Sequence, residues 1–274
     1  MASVLAALAA AAGVVFTGLS LQATRSQNAI TEQGQLTDRF TKAVDQLDRA
    51  GTDHLQARLG AIYALERLAR DSPRDLPTVV EVLSAFVRST AHRPLVDGLA
   101  GSCPDQPPAV DVQAALTVLG RRNTDYDPLG AAAVDFGAGT VDLSQTCLRH
   151  ADLARADLAR ADLHQTDLTK ATLIYAHLRS AYLVDADLGG AGLLGADLGD
   201  AALSRADLGG AHLVFANLRG AYLVNASLVG ADLGGTFLTD ATLLGADLTG
   251  AKQDEKTTID GVKIDKDTKG AWWG

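Results

Sequence analysis

The stretch that decides the fold is ADLARADLARADLHQTDL, residues 151–168, in which leucine stands at 153, 158, 163 and 168. The beat runs on in both directions. Every fifth residue from Leu143 to Leu248 is leucine, 22 in an unbroken series. Two positions before each leucine stands Ala in most units, Thr at 146, 166 and 236, and Val at 141. Asp is commonest between them and Gly is frequent in the last place, so the unit reads Ala-Asp-Leu-x-x. On an α-helix five residues advance the chain by about 500°, which scatters such leucines around the axis. On one straight strand an odd period sends successive leucines to opposite faces. The chain must therefore turn between units so that each leucine returns to a common interior. Short extended pieces joined by turns and stacked as parallel ladders do this. The result is a β-solenoid whose repeats bury their faces against each other. Ala and Thr are small enough to share the interior with Leu, and the final Gly suits corners that a larger residue would strain.

The series that includes residues 151–168 and ANLRGAYLVNASLVGADL (216–233) resembles the pentapeptide-repeat family over about 110 residues. That resemblance implies a right-handed, four-sided β-helix with 20 residues per coil, hence about five and a half coils. At a ladder spacing of ~4.8 Å the rod would be roughly 26 Å long. Residues 28–88 also resemble the N-terminal region of actinobacterial membrane-anchored members of the family. The expected fold is mainly β: a right-handed quadrilateral β-helix (132–252), preceded by an α-helical region and one N-terminal transmembrane helix. Residues 253–274 leave the beat and form a charged tail or cap. There Ile259, Val262 and Ile264 are placed to cover the last open edge, and Trp272 and Trp273 either cap the core or meet a partner or membrane.

Residues 2–24 carry no charge, and Arg25 is the first charged side chain. Such a length spans a ~30 Å hydrocarbon layer, so residues 1–24 are expected to be a transmembrane helix. A signal peptide is a competing reading, but the basic start it needs is missing; a buried soluble helix is a third. Arg25, Arg39 and Lys42 follow the span with nothing basic before it, which predicts a single-pass protein of the cell membrane with residues 25–274 in the cytoplasm. Residues 26–122 hold about four amphipathic helices, two of which, at 58–70 and 111–122, resemble helices of HEAT-type repeats. Ser72 and Pro73 mark the start of one of them.

With 20 residues per coil, side chains 20 apart share a face. One face carries Asp167, Asp187, Asp207 and Asp247, with Ser227 between. Asp that stabilises its own turn in water accounts for this, and an acidic surface resembling duplex DNA is the functional alternative. A second face collects Ile174, Leu194 and Val214, with Tyr175 and Phe215 beside them. The opposite face carries Tyr182, Val184, Tyr222, Val224 and Leu244. Stacked apolar residues outside a filled core suggest docking. A protein partner, a second copy of the chain or the chain's own helices could cover them. ATLIYAHLRSAYLVDADLGG (171–190) recurs as AHLVFANLRGAYLVNASLVG (211–230), two coils further on, and preserves Arg179/Arg219, Tyr182/Tyr222 and Val184/Val224. This is either a recent duplication or a repeated binding surface.

The net charge of −9 argues against direct nucleic-acid binding. Cys103 and Cys147 have no CxxC or Cys/His company and read as free thiols. No nucleophile elbow, phosphate loop, dinucleotide fingerprint or HExxH motif is present, and the six histidines pair on no face. No catalytic, cofactor or metal residues are assigned. The expected function is a non-enzymatic, membrane-tethered scaffold that presents the β-helix to another protein, with Tyr182, Val184, Tyr222, Val224, Leu244, Ile174, Leu194, Val214, Arg179 and Arg219 as contact residues. The alternative, which the resemblance implies, is a DNA-mimicking binder of a type II topoisomerase. For that reading residues 141–250 offer 13 Asp against 7 Lys and Arg, but the tail shows no helix of the kind that joins such mimics into dimers.

Overall fold

The computed structural model describes residues 34–49, 51–96, 99–122 and 139–273. From residue 141 the chain winds as a four-sided β-helix. The residue before each leucine pairs in parallel with the residue 20 further on: Asp142 with Asp162, Cys147 with Asp167, Asp152 with Thr172 and Asp157 with His177. Four such bridges fill 20 residues, one on each side. The sides are numbered by their first leucines, Leu143, Leu148, Leu153 and Leu158. A rung consists of two bonds, for example Leu163 N–H to the Tyr182 carbonyl at 2.8 Å and Tyr182 N–H to the Ala161 carbonyl at 2.9 Å.

The interior follows from the unit. Every fifth-residue leucine from Leu143 to Leu248 is at most 2% exposed, and the alanines two places earlier are buried with them. Thr146, Thr166 and Thr236 take the alanine place fully buried because each hydroxyl donates to a leucine carbonyl, Leu143 for the first two and Leu213 for the third. A buried hydroxyl without such an acceptor would be destabilising.

Each corner is a turn closed by the N–H of the next unit's first residue, as from Ala156 to the Leu153 carbonyl at 3.1 Å. The last residue of every unit from 145 to 250 is left-handed: 14 are non-glycine, from Gln145 to Asp240 with φ of 54–59°, and 8 are glycine. An L-residue is disfavoured there by about 1–2 kcal/mol. The ladder holds it, since the corner N–H donates to the coil above, as from Gln145 to the His164 carbonyl. Aspartate supports the same corners. Oδ1 of Asp152, Asp157, Asp167, Asp187 and Asp207 each accepts the N–H two residues on. This is the turn-forming habit of the residue.

Four helices precede the coils among the described residues: α1 (34–47), α2 (Leu55–Asp71), α3 (Leu76–Thr90) and α4 (Val110–Gly120). α2, α3 and α4 pack on one another, through Ile62, Leu65, Val79, Leu83, Leu116 and Leu119. Ser72 makes no capping hydrogen bond. A 3-10 turn, Pro73–Asp75, intervenes before α3. Arg58 Nε donates to buried Asp111 at 2.6 Å and its Nη1 to the carbonyls of Arg49 and Gly51, tying α2 to α4 and to the preceding turn.

These helices close the lower end of the β-helix. In the inner coils the N–H before each leucine donates to the coil below; the first coil has none below. On the first side Asp142 N–H donates to Ser84 Oγ at 3.3 Å, and Asp142 pairs with Arg88. On the second Cys147 N–H donates to the Ala91 carbonyl at 2.7 Å, on the third Asp152 N–H to Gln113 Oε1 at 3.0 Å, and on the fourth Asp157 N–H to the Gly120 carbonyl at 2.7 Å. All four edge donors are satisfied, as buried backbone requires. Gly120 is needed for the last contact: a Cβ there would lie 2.7 Å from Ala156 Cβ.

The upper end closes itself. The charged tail keeps the ladder: Lys252, Thr258, Lys263 and Lys269 bridge to Asp232, Phe237, Thr242 and Asp247. Two corners there are one residue longer, Asp254–Thr257 and Asp265–Thr268. In each, the threonine hydroxyl accepts the aspartate N–H and donates to a leucine carbonyl, Leu233 or Leu243. The longer corner carries its carbonyl away from the coil below, and the same aspartates replace it: Asp254 Oδ1 accepts Gly235 N–H and Asp265 Oδ1 accepts Gly245 N–H. Both carboxyls are held below the usual value, first by these amide bonds. Ile259, Val262, Ile264 and the edge-to-face pair Trp272–Trp273 pack, partly buried, on the end of the core.

Two expectations are corrected. Among the described residues no helix is long and apolar enough to cross a membrane. This overturns the placement as a single-pass membrane protein with residues 25–274 in the cytoplasm; the described helices instead bury their apolar residues in a shared core. Residues 2–24, on which that placement rested, lie outside the described residues. The cysteines are not free thiols. Cys103 and Cys147 form a disulfide, with Cα atoms 5.5 Å apart, because the segment between α3 and α4 returns along the first coil.

Candidate interaction surface

With leucine and alanine filling the interior, the sides and corners are what the β-helix presents. On the third side, Ile174, Leu194 and Val214 stack one per coil and are partly buried. Next to them Tyr175 and Phe215 are half exposed, at 51% and 50%. Each ring has room because the corner residue one coil up is glycine: a Cβ on Gly195 would meet the Tyr175 ring at 2.5 Å, and one on Gly235 the Phe215 ring at 2.5 Å. Aromatic and glycine thus alternate up this corner. The ammonium of Lys256 lies 5.9 Å from the centre of the Phe215 ring.

On the opposite, first side Tyr222 is 54% exposed. Tyr182, Val184, Val224 and Leu244 are more sheltered than Tyr222. Tyr182 packs edge-on against His164, with ring centres 6.0 Å apart. Tyr182 and Tyr222 are not adjacent rungs, for Ala202 stands between them. Arg179 and Arg219 are exposed on the fourth side. Arg179 pairs with Asp200 at 2.6 Å, and Arg219 lies 4.9 Å over the Phe237 ring. The ten residues singled out in the sequence therefore fall on three sides rather than on one patch. Tyr175, Phe215 and Val229, the last 44% exposed on the second side, are as open as Tyr222; the corner alternation with glycine is the sequence signal for the first two.

The acidic face is largely committed to structure. Asp167 is 2% exposed and also lies 3.8 Å from Arg149. Asp187, Asp207 and Asp247 each hold their own turn. For Asp247 the Thr249 hydroxyl and N–H hold the carboxyl below its usual value. On other corners Asp185 is paired with Arg205, whose guanidinium is raised by that bond.

Away from the coils, a cavity of about 290 Å³ opens between α2, α3 and α4 over Leu76, Val79, Val80, Leu83 and Leu119. Its charged rim is turned on itself, since Arg121 binds both oxygens of Glu66 at 2.7 Å and Arg122 reaches the carbonyls of Leu119 and Asp157. No group of three or more His, Cys, Asp or Glu side chains among the described residues is placed to hold a metal ion.

A four-sided coil with a leucine inside each five-residue unit defines the class, and the comparisons agree with it. The family model for pentapeptide repeats matches in eight copies, over residues 141–173, 171–210, 201–240 and 216–252. The chain belongs to the pentapeptide-repeat family. Among solved structures it is similar to HetL, a pentapeptide repeat protein involved in heterocyst differentiation regulation in the cyanobacterium Nostoc sp. strain PCC 7120, with 32% identity over 44% of this chain and 69% of that one and a TM-score of 0.25. A pentapeptide repeat protein of the Arabidopsis thaliana thylakoid lumen shares 31% identity over 42% of this chain and 66% of that one, with a TM-score of 0.32. QnrB1, a plasmid-mediated fluoroquinolone resistance protein, shares 16% over 48% of this chain and 79% of that one, with a TM-score of 0.27. No curated protein matches the chain.

Proposed function

We propose that the protein is a scaffold on which another protein docks, and that the sides of the β-helix are the contact surface. One observation carries the reading: Tyr175, Phe215 and Tyr222 stay about half exposed on a body whose interior is otherwise closed. Large rings left in water on a rigid wall contribute to association when a partner removes them from it. The helices of the chain cap the lower end and leave these rings uncovered among the described residues. The contact residues proposed are Tyr182, Val184, Tyr222, Val224 and Leu244 on one side and Ile174, Leu194 and Val214 on the other, with Tyr175 and Phe215 at the corner beside them and Arg179 and Arg219 at the margin. Mimicry of duplex phosphates has less support, because the stacked carboxylates are bound to their own turns.

The test is quantitative capture from a cell lysate by the full chain, by the Tyr182→Ser/Tyr222→Ser variant and by the Tyr175→Ser/Phe215→Ser variant. The expected outcome is a protein retained by the wild type and lost from at least one variant. Identical retention by all three rejects these surfaces.

A further inference from the structure

The cap meets the β-helix on four sides, but among the described residues only the second side is held covalently. There the segment after α3 lies along the first coil. His92 pairs with Thr146 in an antiparallel bridge, Cys147 N–H donates to the Ala91 carbonyl at 2.7 Å, and Arg93 N–H donates to the Gln145 carbonyl at 2.8 Å. Arg93 is buried; its Nε donates to the Gly101 carbonyl at 2.9 Å and its Nη1 to the Gln165 carbonyl at 3.0 Å, so it clips the returning chain to the second coil. Beyond it Asp105 gathers His150 at 2.8 Å, Arg149 at 3.2 Å and Lys170 at 3.5 Å. Asp105 is 58% exposed, and ion pairs so open to water hold little by themselves. The first, third and fourth sides differ: their caps come from α3 and α4, which are packed into the helical core.

We propose that the Cys103–Cys147 bond is a redox switch for this one side. Reduced, it releases the strap formed by residues 91–96 and 99–106 and frees the edge of the first coil at residues 145–147, while the other three sides stay capped. The reductant is an external dithiol. One of its thiolates attacks Sγ of Cys147, the less buried of the two cysteines, forming a mixed disulfide, and Cys103 leaves as a thiolate. The second thiolate of the reagent then displaces Cys147 and closes the reagent's own disulfide. Two electrons pass to the cysteine pair, and the two protons shed by the dithiol end on the two sulfurs. The freed edge presents unpaired N–H and C=O groups, which is a template for another strand. None of this rests on the scaffold reading.

The experiment is hydrogen exchange on the full chain, oxidised and after dithiothreitol, with alkylation and mass measurement to count free thiols, and on Cys103→Ser and Cys147→Ser. The expected result is two free thiols and a loss of protection of about tenfold or more in 91–96, in 99–106 and at 145–147. Both variants should match the reduced protein, the Leu183 and Leu203 amides should stay protected, and reoxidation should restore the wild type alone. A bond that resists dithiothreitol, an unchanged exchange pattern after reduction, or loss of protection at Leu183 and Leu203 as well would each overturn the proposal, the last by making the bond a staple of the whole fold.

Discussion

The two ends of the β-helix solve the same problem by different means. Below, the first coil's four free donors are received by Ser84, Ala91, Gln113 and Gly120, residues that lie as far as 36 positions apart in a helical region with its own core. Above, the last coil is closed by local devices: two longer corners, their aspartates, and partly buried Ile259, Ile264 and Trp272. Lys252, Lys263 and Lys269 occupy three of the four last bridge positions. Charged lysines along a free edge discourage further strands. The lower end is sealed by tertiary packing, and the upper end by the chemistry of a few neighbouring residues.

The largest effect should separate the sealed interior from the upper end. Leu203→Ala removes a fully buried side chain and is expected to destabilise by about 3 kcal/mol or more. Ile264→Ala, at a partly buried position, should lose roughly half as much. Urea unfolding of both variants checks this, and equal losses would mean that the last coil is as tightly packed as the middle. Next, Gly120→Ala forces the cap away from Ala156 and is expected to cost about 1–3 kcal/mol. The loss should appear as faster exchange at Asp157, with no change at Lys252. Smaller still are the corners. Gly210→Ala, in open space with φ of +64°, should lose about 1 kcal/mol, whereas Lys170→Gly, which relieves a φ of 58°, should gain up to about that much; thermal melts of the two should move in opposite directions.

The least effect is local and depends on pH. Asp254 and Asp265 have carboxyls lowered by the amides of Gly235 and Gly245. A lowered folded-state pKa means that the stabilisation is present at and above the ordinary carboxylate value and is lost as pH falls through the lowered one. Amide shifts of Gly235 and Gly245, followed by NMR down through the acid range, should move with those carboxyls while Leu203 stays fixed. At the lower end Asp105 is lowered in the same direction, first by its bond to His150, but there the disulfide keeps the strap in place.

The coil was legible in the sequence because its physics repeats: one unit excludes helix and straight strand, and 22 units leave a single interior. The aspartates were legible too, as residues that bind their own turns. The cap was not, since Ser84, Gln113 and Gly120 gain their role only when α3 and α4 bring their acceptors to the first, third and fourth sides. The disulfide escaped for the same reason, its cysteines being 44 residues apart and joined by a path that the spacing does not reveal. The upper corners could have been found: Asp-x-x-Thr occurs at 254–257 and again at 265–268, each placed where the beat slips by one residue. Of the candidate surface, the outward positions of Tyr175, Phe215 and Tyr222 follow from the period. The sheltering of Tyr182 and Leu244 depends on what stands one rung away.

Those longer corners carry a lesson about how such a molecule tolerates change. The pairing offset is 20 through Lys252, 21 at Thr258 and Lys263, and 22 at Lys269, yet each rung still faces its counterpart. Length added at a vertex is absorbed there, whereas the same residue added along a wall would send leucine to water and its neighbour inward. Insertions and deletions should therefore survive at the edges of this prism and be purged from its flats.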